Sequence, residues 1–478
     1  MSTTSPPPTA PPAPPGTTDP TSTPAPSTPT PTAPTAWAVL RPLLMRIHFY
    51  AGVLVAPFLA VACLTGIAYV FSPQLSDALY AEQLFVGPHS GAPRPLDEQI
   101  AAARAAHPEG TLTSVLDPGD PERTTGVVLA VDGLPDDTAR TVHVDPYTAQ
   151  VRGSLDTWYD APPLQTTLDA LHRNLLLGDV GRLYSELAAS WLWVLVLGGL
   201  ALWVGRSVGP GRRRRRAELV VPPAGARPGR RRLLGWHGAV GVWCSLALLF
   251  LSATGLTWSN HAGARFSSVV DALKGSTPQL AAEPVAVRDA PLVPVQTVLD
   301  TAHAAGLTGL LVVTVPPEPG APFTVAENGG TWPVQRDAVT VHPYTGAVTE
   351  TVLWRDWPVL AKLTRIGVLA HRGSLFGLVN QLALTAAAVG LLCLLFWGYR
   401  MWWQRRPTRG GRARLTPLTP AGTLRALSQP AAFAVVLATV VVGWLLPVLG
   451  VSLLVFLAGD ALAGALSRGR AARARPSG

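Results

Sequence analysis

Charge is scarce in this chain: 14% of its 478 residues are Asp, Glu, Lys or Arg, against about 25% in an ordinary soluble domain. Lysine is almost missing, with Lys274 and Lys362 the two among 38 basic residues. Cysteine is limited to Cys63, Cys244 and Cys393, all inside apolar runs. That excludes a secreted disulfide framework and reads as inert packing. There is no C-x-x-C, no H-E-x-x-H, no P-loop, and no G-x-G-x-x-G after a strand. Dinucleotide, nucleoside-triphosphate and zinc-protease sites therefore have no motif to rest on.

What is present is apolar. Hydrophobic residues make up 48% of the chain and mean hydropathy is +0.27. Runs fall at 49–72, 187–205, 238–258, 378–403 and 430–467. A membrane span needs about 20 apolar residues, so the first four runs supply one span each. The last would rise about 57 Å as one helix; Pro447 and Gly450 divide it into two short spans. The expected fold class is a membrane protein, a polytopic α-helical bundle of about six spans. Helical stretches at 96–106 and 294–305, each followed by short β-branched runs, add two small α+β modules.

Arginine placement orients the chain. The segment 206–232 holds Arg206, Arg212–Arg216, Arg227 and Arg230–Arg232 against one acid, Glu218, whereas 73–171 is strongly acidic. The net charge of +9 thus reflects topology and anionic-lipid contact, and no nucleic-acid partner is expected. The expected location is the cytoplasmic (inner) membrane of a bacterium, multi-pass, with both termini cytoplasmic. A Pro/Thr-rich disordered cytoplasmic tail covers 1–36, and spans cover 45–72, 183–205, 236–258, 378–403, 430–447 and 449–467. Basic cytoplasmic loops cover 206–232 and 404–429, a basic tail covers 468–478, and the extracytoplasmic modules cover 73–182 and 259–370.

Duplication is the strongest signal. The first and third spans open with His48/Gly52 and His237/Gly241 and close with Thr65–Gly66 and Thr254–Gly255. The second and fourth follow His172–Arg173 and His371–Arg372, with Gly178, Gly199 and Trp203 matched by Gly377, Gly398 and Trp402. The modules share VDPYTAQV (144–151) and VHPYTGAV (341–348). The unit is span–module–span, written twice in one orientation.

These residues resemble the PepSY-associated transmembrane family over about 40–465, through the order of elements, the paired Pro-Tyr-Thr turns, the HR-x4-G openings and the stretch 446–460. The resemblance implies two extracytoplasmic PepSY-like domains on a helical scaffold. It also implies likeness to di-haem, b-type proteins that reduce ferric siderophores.

Four histidines are duplicated in register. His48 and His237 start outward-going helices, and His172 and His371 precede inward-going ones. Facing pairs of histidines are a ligand set for haem iron, so His48, His237, His172 and His371 are the expected ligands of two haem b groups. The alternative for each is an interfacial residue bonded to a carbonyl or headgroup. Gly52, Gly66, Gly241 and Gly255 leave room for a flat ring or, more simply, permit close helix packing. Arg173 and Arg372 suit haem propionates or anchor the interface. Trp158, Trp354 and Trp357 fit an aromatic belt or, as the alternative, contacts to an incoming substrate. His89, His107, His143, His261, His303 and His342 read as surface residues, and Asp179, Arg182 and Glu186 as a mutual polar cluster.

The expected function is haem-borne electron transfer that reduces an extracytoplasmic ferric chelate (siderophore), with electrons from a separate cytoplasmic or quinol donor and the lipid bilayer as the other partner. The competing expectation is a non-enzymatic PepSY membrane protein that binds peptides or regulates a membrane-associated protease.

Overall fold

The computed structural model describes residues 3–5, 9–11, 35–207, 220–221, 229–281, 283–404 and 420–473. Most of the Pro/Thr-rich head, most of both arginine-rich loops and the last five residues of the tail lie outside the described residues.

Four helices among the described residues are long and apolar enough to cross a membrane: α1 (Ala36–Val70), α6 (Gly178–Ser207), α7 (Arg230–Leu256) and α11 (Gly377–Trp403). They form a closed ring, in which α1 packs on α6 and α11, and α7 packs on the same two. The two repeats are thereby interleaved, and α1 and α7 face each other across the ring. Short helices α2 (Ser72–Leu79) and α3 (Ala81–Leu84) follow α1, and α8 (His261–Ala272) follows α7. Two further helices, α5 (Pro163–Asn174) and α10 (Val359–Arg372), lead into α6 and α11.

A continuous helix from His172 to Trp203, or from His371 to Trp402, would rise about 46 Å against a bilayer core of about 30 Å, so either the outer histidines lie at or just beyond the outer interface or the chain bends near Gly178 and Gly377. The chain bends. Leu175 and Leu176 adopt left-handed φ values of 56° and 57°, and Gly178 and Gly377 have φ 57° and 54°. A left-handed residue ends a helix and glycine adopts it without penalty. After α12 (Pro420–Arg425), helices α13 (Gln429–Leu445) and α14 (Pro447–Arg473) form the last hairpin, broken at Leu446 as Pro447 demands. Both apolar parts are shorter than a full span: 429–445 and 447–459.

The sheet region departs from expectation. Instead of two separate modules there is one eight-stranded sheet, ordered β4-β3-β2-β1-β5-β6-β7-β8. Its strands are β1 (Thr111–Asp117), β2 (Thr125–Ala130), β3 (Thr138–Val144), β4 (Val151–Trp158), β5 (Leu311–Thr314), β6 (Phe323–Glu327), β7 (Ala338–Val341) and β8 (Val348–Val352). The halves join by antiparallel pairing of β1 with β5, with Val115 opposite Val313. A single row of valines, Val142, Val127, Val115, Val313, Val325 and Val339, crosses six strands in register. Every one of them is fully buried. Branched side chains stacked on one pleated face favour this pairing, and the join removes two exposed edges.

Helices α4 (Leu96–Ala106) and α9 (Val295–Ala304) cover that face with Leu96, Ile100, Val298 and Leu299. Each caps the other. Asp97 accepts the backbone N–H groups of Val295 and Gln296, and the Gln296 side chain accepts the N–H of Leu96. The repeated Pro-Tyr-Thr turn is closed in both halves by the residue before the proline. Asp145 Oδ1 accepts from the N–H groups of Tyr147 and Thr148, and His342 Nδ1 accepts from those of Tyr344 and Thr345. The aspartate-to-histidine switch therefore keeps one role, that of an acceptor for turn amides.

Candidate functional site

His48 on α1 and His237 on α7 meet across the helix ring, on the side away from the sheet. Their ring centroids are 6.3 Å apart and their planes lie at 87°. Glycine makes room for them. A Cβ at Gly199 on α6 would stand 3.2 Å from Cε1 of His48, and one at Gly398 on α11 would stand 4.0 Å from Cε1 of His237. Nδ1 of His237 donates to the Leu394 carbonyl at 3.2 Å, which leaves the lone pair on Nε2. Nδ1 of His48 is buried without a hydrogen-bond partner. A mostly apolar cavity of about 350 Å³ contains both rings and is lined also by Gly52, Gly241, Trp203 and Trp402. Ligand pockets generally measure about 300–1,000 Å³.

The second pair sits at the sheet end of the ring. His172 on α5 packs against Gly66 of α1, where a Cβ would stand 3.2 Å from its Cε1. His371 on α10 packs likewise against Gly255 of α7, at 3.7 Å. The duplicated threonines set the tautomers. Thr65 Oγ1 gives its single proton to the Val61 carbonyl at 2.8 Å, so it can only accept from His172 Nδ1 at 3.1 Å. Thr254 Oγ1 gives its proton to the Phe250 carbonyl at 2.8 Å and accepts from His371 Nδ1 at 2.6 Å. Both imidazoles thereby carry the lone pair on Nε2, as an outer hydrogen bond does for a ligating histidine.

His48 and His237 thus stand ring to ring, and His172 and His371 occupy matching seats against Gly66 and Gly255. The 18 residues from His48 to Gly66 place the two pairs about 27 Å apart along the helix. The duplicated glycines divide by role. Gly66 and Gly255 accommodate histidine rings, while Gly52 and Gly241 meet Leu195 and Leu394 at helix contacts.

The two arginines have other neighbours. Arg173 pairs with Asp169 at 3.3 Å and lies over the Trp158 ring. Arg372 lies over Tyr69.

Two sequence readings need correction. Arg182 and Glu186 do not close on each other; they reach into the second repeat. Arg182 donates to Asn260 Oδ1 and to the Trp258 carbonyl. Buried Glu186 accepts the N–H groups of His261 and Ala262, capping α8. An acid at the end of a span was visible in sequence; its burial and its partner were not.

His143, read as a surface residue, is buried in β3. Thr124 gives its proton to the Gln83 carbonyl and accepts from His143 Nδ1. Burial pushes this imidazole down to about 4. Between pH 6.5 and 4 the unfolded chain takes up a proton that the folded chain refuses, so stability falls as pH drops through that window, by up to about 3 kcal/mol. Denaturation midpoints measured from pH 7 to pH 4 should show this slope, and His143→Gln should flatten it.

Among the described residues no three His, Cys, Asp or Glu side chains gather as a metal site. The histidine pairs instead offer two nitrogens each. No curated protein matches this chain. The family model for the PepSY-associated TM region matches residues 45–405. That stretch takes in all four duplicated histidines, the eight-stranded sheet and the ring of four long helices, and the chain belongs to the PepSY-associated transmembrane family, as a multi-pass membrane protein in contact with the lipid bilayer.

Proposed function

We propose that this chain is a haem-bearing electron-transfer protein of a bacterial inner membrane that reduces a ferric chelate on the sheet side. The observation that carries the reading is the His48–His237 pair. The two rings, with centroids 6.3 Å apart, border one mostly apolar cavity and would offer an imidazole nitrogen each to a group held there. Haem, when bound, supplies reversible one-electron chemistry.

The chain's own residues do the rest. His48 and His237 would hold one group in the apolar cavity, and His172 and His371 would hold the other. Thr65, Thr254 and the Leu394 carbonyl keep the Nε2 lone pairs directed away from the backbone. Pairs at both ends of the ring suit a path across the membrane. Arginine on the side away from the sheet supports cytoplasmic placement of that side, with α13 and α14 crossing as a fifth and sixth span. The reductant is a cytoplasmic donor or a quinol; the chelate is of siderophore type.

Purified protein from haem-replete cells should show oxidised and reduced spectra of a b-type haem, bleached by a ferric chelate once reduced. A folded but colourless preparation overturns the reading. If such a preparation captured a protease, it would favour the non-enzymatic alternative.

A further inference from the structure

A second cavity, of about 370 Å³, lies between α7 and α11 at their ends away from the sheet, and Arg232, Trp236, Phe396, Trp397 and Arg400 line it. Its residues alternate along both helices with those of the histidine cavity, so it opens on the outside of the ring. Trp236 and Trp397 form one wall, with centroids 5.9 Å apart. Phe396 is 60% exposed beside them. No carboxylate of the described residues pairs with Arg232 or Arg400.

The duplicated scaffold does not require this pocket. His48 matches His237 and His172 matches His371, so the first repeat carries Leu43, Ile47, Leu197, Gly198 and Ala201 at these positions. Two guanidinium groups and three aromatic rings thus belong to one repeat alone. Orientation by positive charge needs only arginines near a span end, and a tryptophan belt needs only exposed rings at that depth. Neither calls for two guanidinium groups on neighbouring helices bordering one aromatic-walled cavity.

We propose that this cavity binds the phosphate headgroup of an anionic phospholipid. Guanidinium groups recognise phosphate oxygens by paired, charge-assisted hydrogen bonds, and basic pockets between spans are a known form of lipid recognition. A free phosphate shares that chemistry. The exposed Phe396 and, on the flank of α7, Leu246, 78% exposed, select the lipid, because its acyl chains cover that surface. The assignment is independent of the redox reading.

The full-length chain in neutral detergent is titrated with phosphatidylglycerol, phosphatidylcholine or inorganic phosphate, followed by thermal unfolding and native mass spectrometry. Phosphatidylglycerol should raise the melting temperature and remain as a discrete adduct, and phosphatidylcholine and phosphate should do neither. Arg232→Gln/Arg400→Gln should weaken the phosphatidylglycerol affinity by about tenfold or more. Arg425→Gln, which removes one charge on the α11–α13 connection, should leave it unchanged. If the double variant loses its lipid-free melting transition, Arg400→Gln alone carries the comparison, with an expected loss of several-fold. Unchanged binding in the Arg232/Arg400 variants, or an equal loss in Arg425→Gln, overturns the site. Equal stabilisation by inorganic phosphate overturns the lipid assignment.

Discussion

Alanine in place of His48 or His237 is expected to remove one haem and spare the other, so that reduced absorbance falls by about half. The two rings share one cavity and have no other histidine beside them there, so loss of either leaves a single nitrogen. The second pair is about 27 Å away along the helix and is anchored separately, by Thr65 and Thr254. His172→Ala and His371→Ala should give the complementary loss. His261→Ala should change neither haem, since its ring is half-exposed and faces Glu186. Loss of both haems, or of neither, from His237→Ala would argue against the pairing.

The second large effect is expected from a glycine. A Cβ at Gly181 would stand 1.7 Å from the carbonyl oxygen of Asn174 and 2.7 Å from its carbon. That obstacle is backbone, and the same carbonyl accepts from Leu177 in the turn between α5 and α6. Gly181→Ala must therefore displace α5 and with it His172. Overpacking of this kind costs typically 1–3 kcal/mol and more where backbone must move, so a loss of roughly 3 kcal/mol is expected, together with loss of the sheet-side haem alone. The second repeat supplies the control. Asn380 occupies the equivalent position, and its side chain donates to the Ala370 carbonyl at 3.0 Å. Asn380→Ala should cost about 1 kcal/mol. Thermal unfolding in detergent measures both, and a Gly181→Ala protein as stable as the parent would contradict the tight turn.

The path from residues to site explains why some features were legible and others were not. Apolar run length is a local property, and the bilayer sets its threshold, so the four long helices could be read directly. The meeting of His48 and His237 could be read because duplication reports symmetry: equal offsets in two copies bring equal residues to equal depth. The valine row was half legible. Each β-branched run announced a strand, but the choice of β1 and β5 as partners depends on which edges the folded halves leave uncovered.

His143 and Glu186 were misread for a common reason. Burial of a polar residue is decided by what packs over it, Thr124 and the Gln83 carbonyl in one case and the start of α8 in the other. Those neighbours lie 19 and 75 residues away or more along the chain, beyond any local pattern. The duplicated glycines show the same limit, because spacing placed Gly66 and Gly52 alike, and only contact separated a seat for a ring from a helix crossing.

Periodicity, charge placement and repetition, all carried along the chain, thus established a multi-pass membrane protein built from one unit written twice, with its histidines in matched pairs. The interleaving of the repeats into one ring, the fusion of two half-sheets and the Nε2 tautomers set by threonine hydroxyls arose in three dimensions. Each of these depends on which distant groups meet in the folded chain, since a hydrogen bond acts within about 3 Å and sequence spacing does not measure distance between elements.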